Sequence, residues 1–164
     1  MITLEIVTEG GGWAGEPDLP DLVRRAASAA VAAAPMEPSS AEQGGPLAAT
    51  LLLADDAAMR ELNRAWRGQD KATNVLSFPS AAPSVPGEPR ELGDVALAFE
   101  TVAREAAQEG KSFAHHAAHL VVHGVLHLLG HDHGDDREAD AMEGTEVAAL
   151  ASLGIADPYR EDAA

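Results

Sequence analysis

The chain places all seven of its histidines between positions 115 and 133, within one predicted helix and the turn after it. A helix over 112–129 turns about 100° per residue, so four of these histidines share one narrow stripe: His116, His119, His123 and His127. Apolar residues cover the rest of this helix, which is typical of a helix that is buried on all sides. Buried imidazoles need polar or metal partners, so the stripe predicts a site inside the fold.

Three of the histidines have the spacing of zinc ligands. His123 and His127 stand one helical turn apart, about 6 Å along the axis, so both rings can converge on one ion. Gly130 follows where a left-handed turn would end the helix, and the returning chain can deliver His133 as a third ligand. The chain has no cysteine, which leaves nitrogen and oxygen as the strong ligands available. We therefore predict one Zn²⁺ per chain, with a fourth position open to water as in catalytic sites.

The run from His123 to His133 has the spacing H-x-x-x-H-x-x-G-x-x-H of the metzincin peptidases. In those enzymes a Glu that acts as general base follows the first His, whereas this chain has Gly124. Peptidase chemistry is therefore disfavoured, and the base must come from elsewhere, from a substrate phosphate or from zinc-bound water. Satisfied core histidines or a purely structural zinc site are the alternatives.

Several other ring side chains near these motifs have two interpretations. His116, His119 and His131 are predicted to support the zinc ligands or to contact substrate. For His116 and His119, simple packing in the core is an equally open alternative. Trp66 shares a predicted helix face with apolar residues one turn earlier, which favours a core position over an exposed ring on which a base could stack.

A basic segment contains Arg64, Arg67 and Lys71 and joins a predicted helix over 56–66 to a predicted strand over 74–78. It is the best anion-binding edge of a chain whose formal net charge is −16. Arg67 could hold a phosphate bidentately near the metal, and a charge that stabilises the helix C-terminus is the open alternative. Lys71 is a further residue that could contact substrate.

The hydrophobic pattern predicts an α+β fold: a single domain over 1–164, with a small mixed four-stranded sheet and about five helices. The histidine spacing adds a zincin-like metal site to this fold. The predicted strands are 2–7, 48–54, 74–78 and 94–98, and the predicted helices are 19–34, 56–66, 100–109, 112–129 and 136–153. Asp135 and Glu138 resemble a capping box at the start of the last helix. Stretches rich in Pro, Gly and Ser at about 35–46 and 79–91 predict surface loops.

Composition and net charge limit which partners, membrane or nucleic acid, the chain can bind. The uninterrupted apolar stretches fall well short of the roughly 20 residues that a membrane span needs. The first residues lack the pattern of a secretory signal, so we expect a cytoplasmic protein with no membrane partner. The charge of −16 repels polyanions, so a nucleic-acid substrate would require a local basic patch.

Several segments together resemble the YbeY family of bacterial endoribonucleases. Residues 63–79 resemble its N-R-x-[YW]-R-x-x-D-K-x-T-N-V-L-S-F-P segment, and residues 92–95 resemble its L-G-D-[IV] strand. Residues 116–133 resemble its A-H-x-x-x-H-G-x-L-H-L-x-G-[YH]-D-H signature, and 157–159 its closing segment. The match covers most of 50–159. Two positions depart from it, because Ala72 stands where the family often has Pro and His131 where it often has Tyr.

The resemblance implies a zinc-dependent, single-strand-specific endoribonuclease, a hydrolase of phosphodiester bonds. It would act in rRNA processing, notably 16S rRNA 3′-end maturation, and in 70S ribosome quality control. The ligand positions fall on His123, His127 and His133, and the arginine associated with activity falls on Arg67.

The implied partners are single-stranded RNA or rRNA and the ribosome or its 30S subunit. The acidic surface suggests that a ribosomal protein or an assembly GTPase positions the substrate. Two alternatives remain: a non-catalytic, zinc-stabilised ribosome assembly factor and, less favoured, a metallopeptidase.

Overall fold

The computed structural model describes residues 2–34, 46–81, 85–131 and 134–159. Within these ranges the chain forms four strands and five α-helices, and a 3₁₀ turn at Trp13–Gly15 follows the first strand. In chain order they are β1 (Ile2–Thr8), α1 (Leu19–Ala33), β2 (Leu47–Ala54), α2 (Asp56–Arg67), β3 (Val75–Pro79), β4 (Arg90–Ala98), α3 (Phe99–Glu109), α4 (Phe113–Leu128) and α5 (Asp136–Ser152). The predicted α+β class is confirmed.

The four strands form one mixed sheet in the order β1-β2-β4-β3. β1 pairs parallel to β2, and β2 pairs parallel to β4. β3 pairs antiparallel to β4 and ends the sheet on that side. Alternate residues along each strand face opposite sides, so the sheet has two distinct faces to cover.

One face of the sheet carries the main core. Leu51, Val95 and Leu97 on this face are almost fully buried against α1, α4 and α5. Helix α4 packs on β3 and β4 and also contacts α1, α3 and α5, which explains why apolar residues surround its histidine stripe. The other face carries α2 and a smaller cluster around Met59 and Ala96.

β4 begins four residues earlier than the predicted strand over 94–98, and β3 extends through Pro79. The connection between them is therefore shorter than the predicted loop at 79–91. The sequence pattern does not show this extension, because it contains Gly93. The φ of Gly93 is +133°, a backbone conformation that most residues avoid and that occurs at strand irregularities. A Cβ there would lie 2.1 Å from the Phe78 carbonyl oxygen. The predicted loop over 35–46 falls almost entirely on residues outside the described ranges.

Side-chain caps set the start of the two helices that build the site. The Ser112 hydroxyl accepts a hydrogen bond from the His115 amide at 3.0 Å, at the start of α4. The Asp135 carboxylate accepts one from the Glu138 amide at 2.7 Å, which confirms the predicted N-cap of α5. In the described part of the chain, no helix is both long and apolar enough to cross a membrane.

Candidate metal centre

Helix α4 directs His123 and His127 toward one point. Their Nε2 atoms lie 3.1 Å apart, and the rings meet edge to face with centroids 4.6 Å apart. Two histidines on a tetrahedral zinc, each at about 2.05 Å, would have their nitrogens roughly 3.3 Å apart. The pair therefore fits two neighbouring ligands of one zinc ion.

The predicted third ligand, His133, lies outside the described residues, as does Asp132. Within the described ranges, no group of three or more His, Asp or Glu side chains is arranged to hold a metal ion. The predicted ligand set therefore depends on His133. Imidazole nitrogen is a preferred zinc ligand, so the chemistry of the three-histidine set suits this ion.

Glu146 on α5 is a component of this site that the sequence analysis missed. Its side chain is fully buried, and its Oε1 atom accepts a hydrogen bond from Nδ1 of His123. Its Oε2 atom lies 3.4 Å from Nε2 of His119 and accepts a hydrogen bond from the Tyr159 hydroxyl. One buried carboxylate thus joins α4, α5 and the C-terminal segment around the predicted ligand His123.

The charge of Glu146 is set by these contacts. Burial alone would raise the pKa of its carboxyl group, but hydrogen bonds from His119, His123 and Tyr159 outweigh burial and lower the pKa to about 2. Burial and the adjacent carboxylate raise the pKa of the Tyr159 phenol. Glu146 is therefore an acceptor and Tyr159 a donor at neutral pH.

Three histidines of the stripe divide between two carboxylates: His116 contacts Glu105, and His119 and His123 contact Glu146. His116 is buried, and its Nε2 lies 2.9 Å from Oε1 of Glu105 on α3. The same oxygen accepts a hydrogen bond at 2.9 Å from Nδ2 of Asn74, the residue just before β3. His116 thus ties α4 to α3 and β3, while His119 contacts Glu146 and Tyr159 beside the predicted ligands.

Two further residues that the sequence analysis singled out lie on loops. The backbone amide of His131 donates to the Leu126 carbonyl at 3.0 Å in the turn after α4, and its side chain is half-buried. Lys71 is exposed, and its carbonyl oxygen accepts a hydrogen bond from Asn63 Nδ2 at 2.9 Å. This last contact fixes the backbone of the basic segment to α2.

Two hydrogen bonds in sequence link Arg67 to α4, the helix that carries His123 and His127. The exposed guanidinium of Arg67 donates from Nη2 to the Ser77 carbonyl oxygen at 3.3 Å. The Ser77 hydroxyl donates to the Gly124 carbonyl oxygen at 3.2 Å. Gly124 follows the predicted ligand His123, so two hydrogen bonds connect the arginine to the backbone of the site. Ser77 is a second residue that the sequence analysis did not single out.

Trp66 was expected in the core, and this expectation is wrong. Its side chain is 72% exposed and contacts Phe78 at a ring-centroid distance of 6.2 Å. The last turn of α2 lies beside β3, the strand that ends the sheet, so little protein is left to cover the indole. Trp66 also borders a groove of about 600 Å³ on the α2 face of the sheet, which is the face opposite α4.

The comparisons with known proteins agree with one another. Residues 19–154 match the family model described as Endoribonuclease YbeY. A protein from Chelativorans sp. (strain BNC1), named Endoribonuclease YbeY, is 52% identical over 160 residues, 96% of this chain and 93% of that protein. One of the same name from Rhodospirillum rubrum is 54% identical over 157 residues, 93% of this chain and 78% of that protein.

A solved structure shows the same fold. The solution structure of TM1509 from Thermotoga maritima superposes with a TM-score of 0.54, covering 98% of each chain at 20% sequence identity. The family model and the near full-length relatives confirm the resemblance seen in the sequence motifs. The chain belongs to the YbeY family of endoribonucleases.

Proposed function

We propose that this protein is a zinc-dependent endoribonuclease that cleaves single-stranded RNA, with the ion held by His123, His127 and His133. The convergence of the His123 and His127 Nε2 atoms, 3.1 Å apart, is the observation that carries the metal site. Membership of the YbeY family supports the reaction class. When bound, a zinc ion would supply Lewis-acid activation at the scissile phosphodiester.

The protein's own contribution to cleavage comes from Arg67. Its guanidinium has five N–H donors, and the Ser77 carbonyl engages Nη2. The remaining donors can bind phosphate oxygens and stabilise the negative charge that develops as the bond breaks. The two hydrogen bonds through Ser77 and Gly124 connect this arginine to α4, the helix that carries His123 and His127.

We place the protein in rRNA processing, notably 16S rRNA 3′-end maturation, and in 70S ribosome quality control. The family name of its relatives supports an RNA substrate. The net charge of −16 supports delivery of that substrate by a partner, either the ribosome or 30S subunit itself or a ribosomal protein or assembly GTPase bound to it. This role implies a cytoplasmic location.

The test is cleavage of an unstructured RNA by zinc-loaded protein alongside His127→Ala purified in the same way. Contaminating ribonuclease would cleave equally in both preparations. Activity that is confined to the intact protein, and that a chelator abolishes, is the expected result. Equal or absent activity would overturn the proposal and favour a non-catalytic assembly factor stabilised by zinc.

A further inference from the structure

The carboxyl group of Glu146 lies at a place where burying a polar or charged group is costly. Its side chain is 0% exposed on a helix that otherwise buries apolar residues such as Met142 and Leu150. A carboxylate at such a position persists only where hydrogen bonds satisfy its oxygen atoms. Three groups do so here, from His119, His123 and Tyr159, and His123 is a predicted metal ligand.

These hydrogen bonds determine which nitrogen of each ring carries the proton. The Oε1 atom of Glu146 accepts from Nδ1 of His123, so that ring nitrogen carries the proton and Nε2 keeps a lone pair. That lone pair lies on the side that faces Nε2 of His127. By the same reasoning, Nε2 of His119 carries the proton and donates to Glu146, so His119 does not offer that nitrogen to a metal.

We propose that Glu146 is a positioning residue of the metal centre, which fixes His123 as the tautomer whose Nε2 binds the ion. His119 and Tyr159 hold the Glu146 carboxylate in turn, from the helix on one side and the C-terminal segment on the other. Lys111 anchors that segment, because its Nζ donates to the Pro158 carbonyl oxygen at 3.3 Å. The inference rests on the proposed zinc site.

Carboxylate partners of this kind orient metal-bound histidines and raise their basicity, and their loss typically costs about 10–100-fold in metal affinity. Two substitutions separate the contributions. Glu146→Leu keeps the bulk and removes both acceptors, whereas Glu146→Gln keeps one acceptor and removes the charge. Glu143→Gln is the matched control, since Glu143 is exposed on the same helix.

The experiment measures the zinc affinity of the full-length proteins by competition with a chromophoric chelator. We expect Glu146→Leu to bind zinc about 10–100-fold more weakly, Glu146→Gln to lie between it and wild type, and Glu143→Gln to match wild type. Tyr159→Phe, which keeps the ring and removes the hydroxyl donor, should show a smaller loss. If Glu146→Leu does not fold, the zinc affinity of Tyr159→Phe tests the inference in its place.

A spectroscopic readout distinguishes positioning from simple loss of stability. In the zinc-loaded wild type, ¹H–¹⁵N correlation spectra should show a His123 Nδ1 proton that is protected from exchange, and this proton should be lost in Glu146→Leu and kept in Glu143→Gln. Wild-type protein that binds zinc, together with Glu146 variants of equal affinity, would overturn the inference alone. Wild-type protein that binds no zinc would instead overturn the proposed function.

Discussion

Gly124 lies so close to Val95 that a Cβ atom at position 124 would stand 2.6 Å from the Val95 Cγ1 atom. The same Cβ would lie 3.2 Å from the Ser77 hydroxyl oxygen. Helix α4 therefore rests directly on β3 and β4 at the residue that follows the predicted ligand His123. Metzincin peptidases carry their general base at this position, and here the sheet occupies that space. The packing argues against peptidase chemistry independently of the sequence.

Gly124→Ala is expected to lower the free energy of unfolding by about 1–3 kcal/mol, because the added methyl group overpacks the helix–sheet contact. Gly144→Ala is the matched control, since Gly144 lies within α5 and a Cβ there meets nothing within 4 Å. That control should gain roughly 0.8–1 kcal/mol from helix propensity. Urea unfolding of both variants tests the pair, and a Gly124→Ala protein as stable as wild type would contradict the packing.

Arg67→Ala is expected to reduce RNA cleavage by the zinc-loaded protein roughly 10²-fold, the typical loss when one donor to a developing charge is removed. Its exposure means that the melting temperature should stay close to that of wild type. Arg64→Ala is the control, because Arg64 lies on the same helix and pairs with Glu61 at 2.6 Å. Single-turnover cleavage of an unstructured RNA is the measurement, and equal losses in both variants would indicate a diffuse charge effect instead.

Local patterns were enough to predict most of the fold. The all-round hydrophobicity of α4, the alternation in β1 and the acidic N-cap of α5 are encoded within a few neighbouring residues, and the structure confirms these elements. The first four residues of β4 were missed because Gly93 interrupts the pattern of an extended strand. Gly93 nevertheless pairs with Pro79 of β3, a partner that lies outside the local sequence.

The candidate site was predictable only where one helix supplies it. His123 and His127 are one turn apart, so their convergence follows from helical geometry alone. The contact between Glu146 and His123 depends on how α5 packs against α4, which no local pattern specifies. One signal was present, since Glu146 shares the otherwise apolar face that contains Met142, Ala149 and Leu150.

His133→Ala is expected to remove most of the bound zinc, because two histidines hold the ion far more weakly than three. His131→Ala is the matched control, two residues earlier in the chain, and should keep about one zinc per chain. Zinc content after dialysis against a weak chelator, measured by atomic emission, distinguishes them. Zinc retained by His133→Ala and lost from His131→Ala would reassign the third ligand.

Trp66→Ala is expected to weaken binding of single-stranded RNA by about 1–3 kcal/mol, the typical contribution of one aromatic side chain that stacks on a base. Its indole is 72% exposed and adjoins Arg67, so the loss should come with little change in stability. Trp13 provides the contrast, because it is 4% exposed and donates from its indole nitrogen to the Ala54 carbonyl at 3.0 Å. Trp13→Ala should therefore cost about 3–5 kcal/mol of stability.

Anisotropy of a labelled oligonucleotide measures the RNA affinity of both variants, and urea unfolding measures their stability. Unchanged RNA affinity in Trp66→Ala would show that the exposed ring does not stack on the substrate.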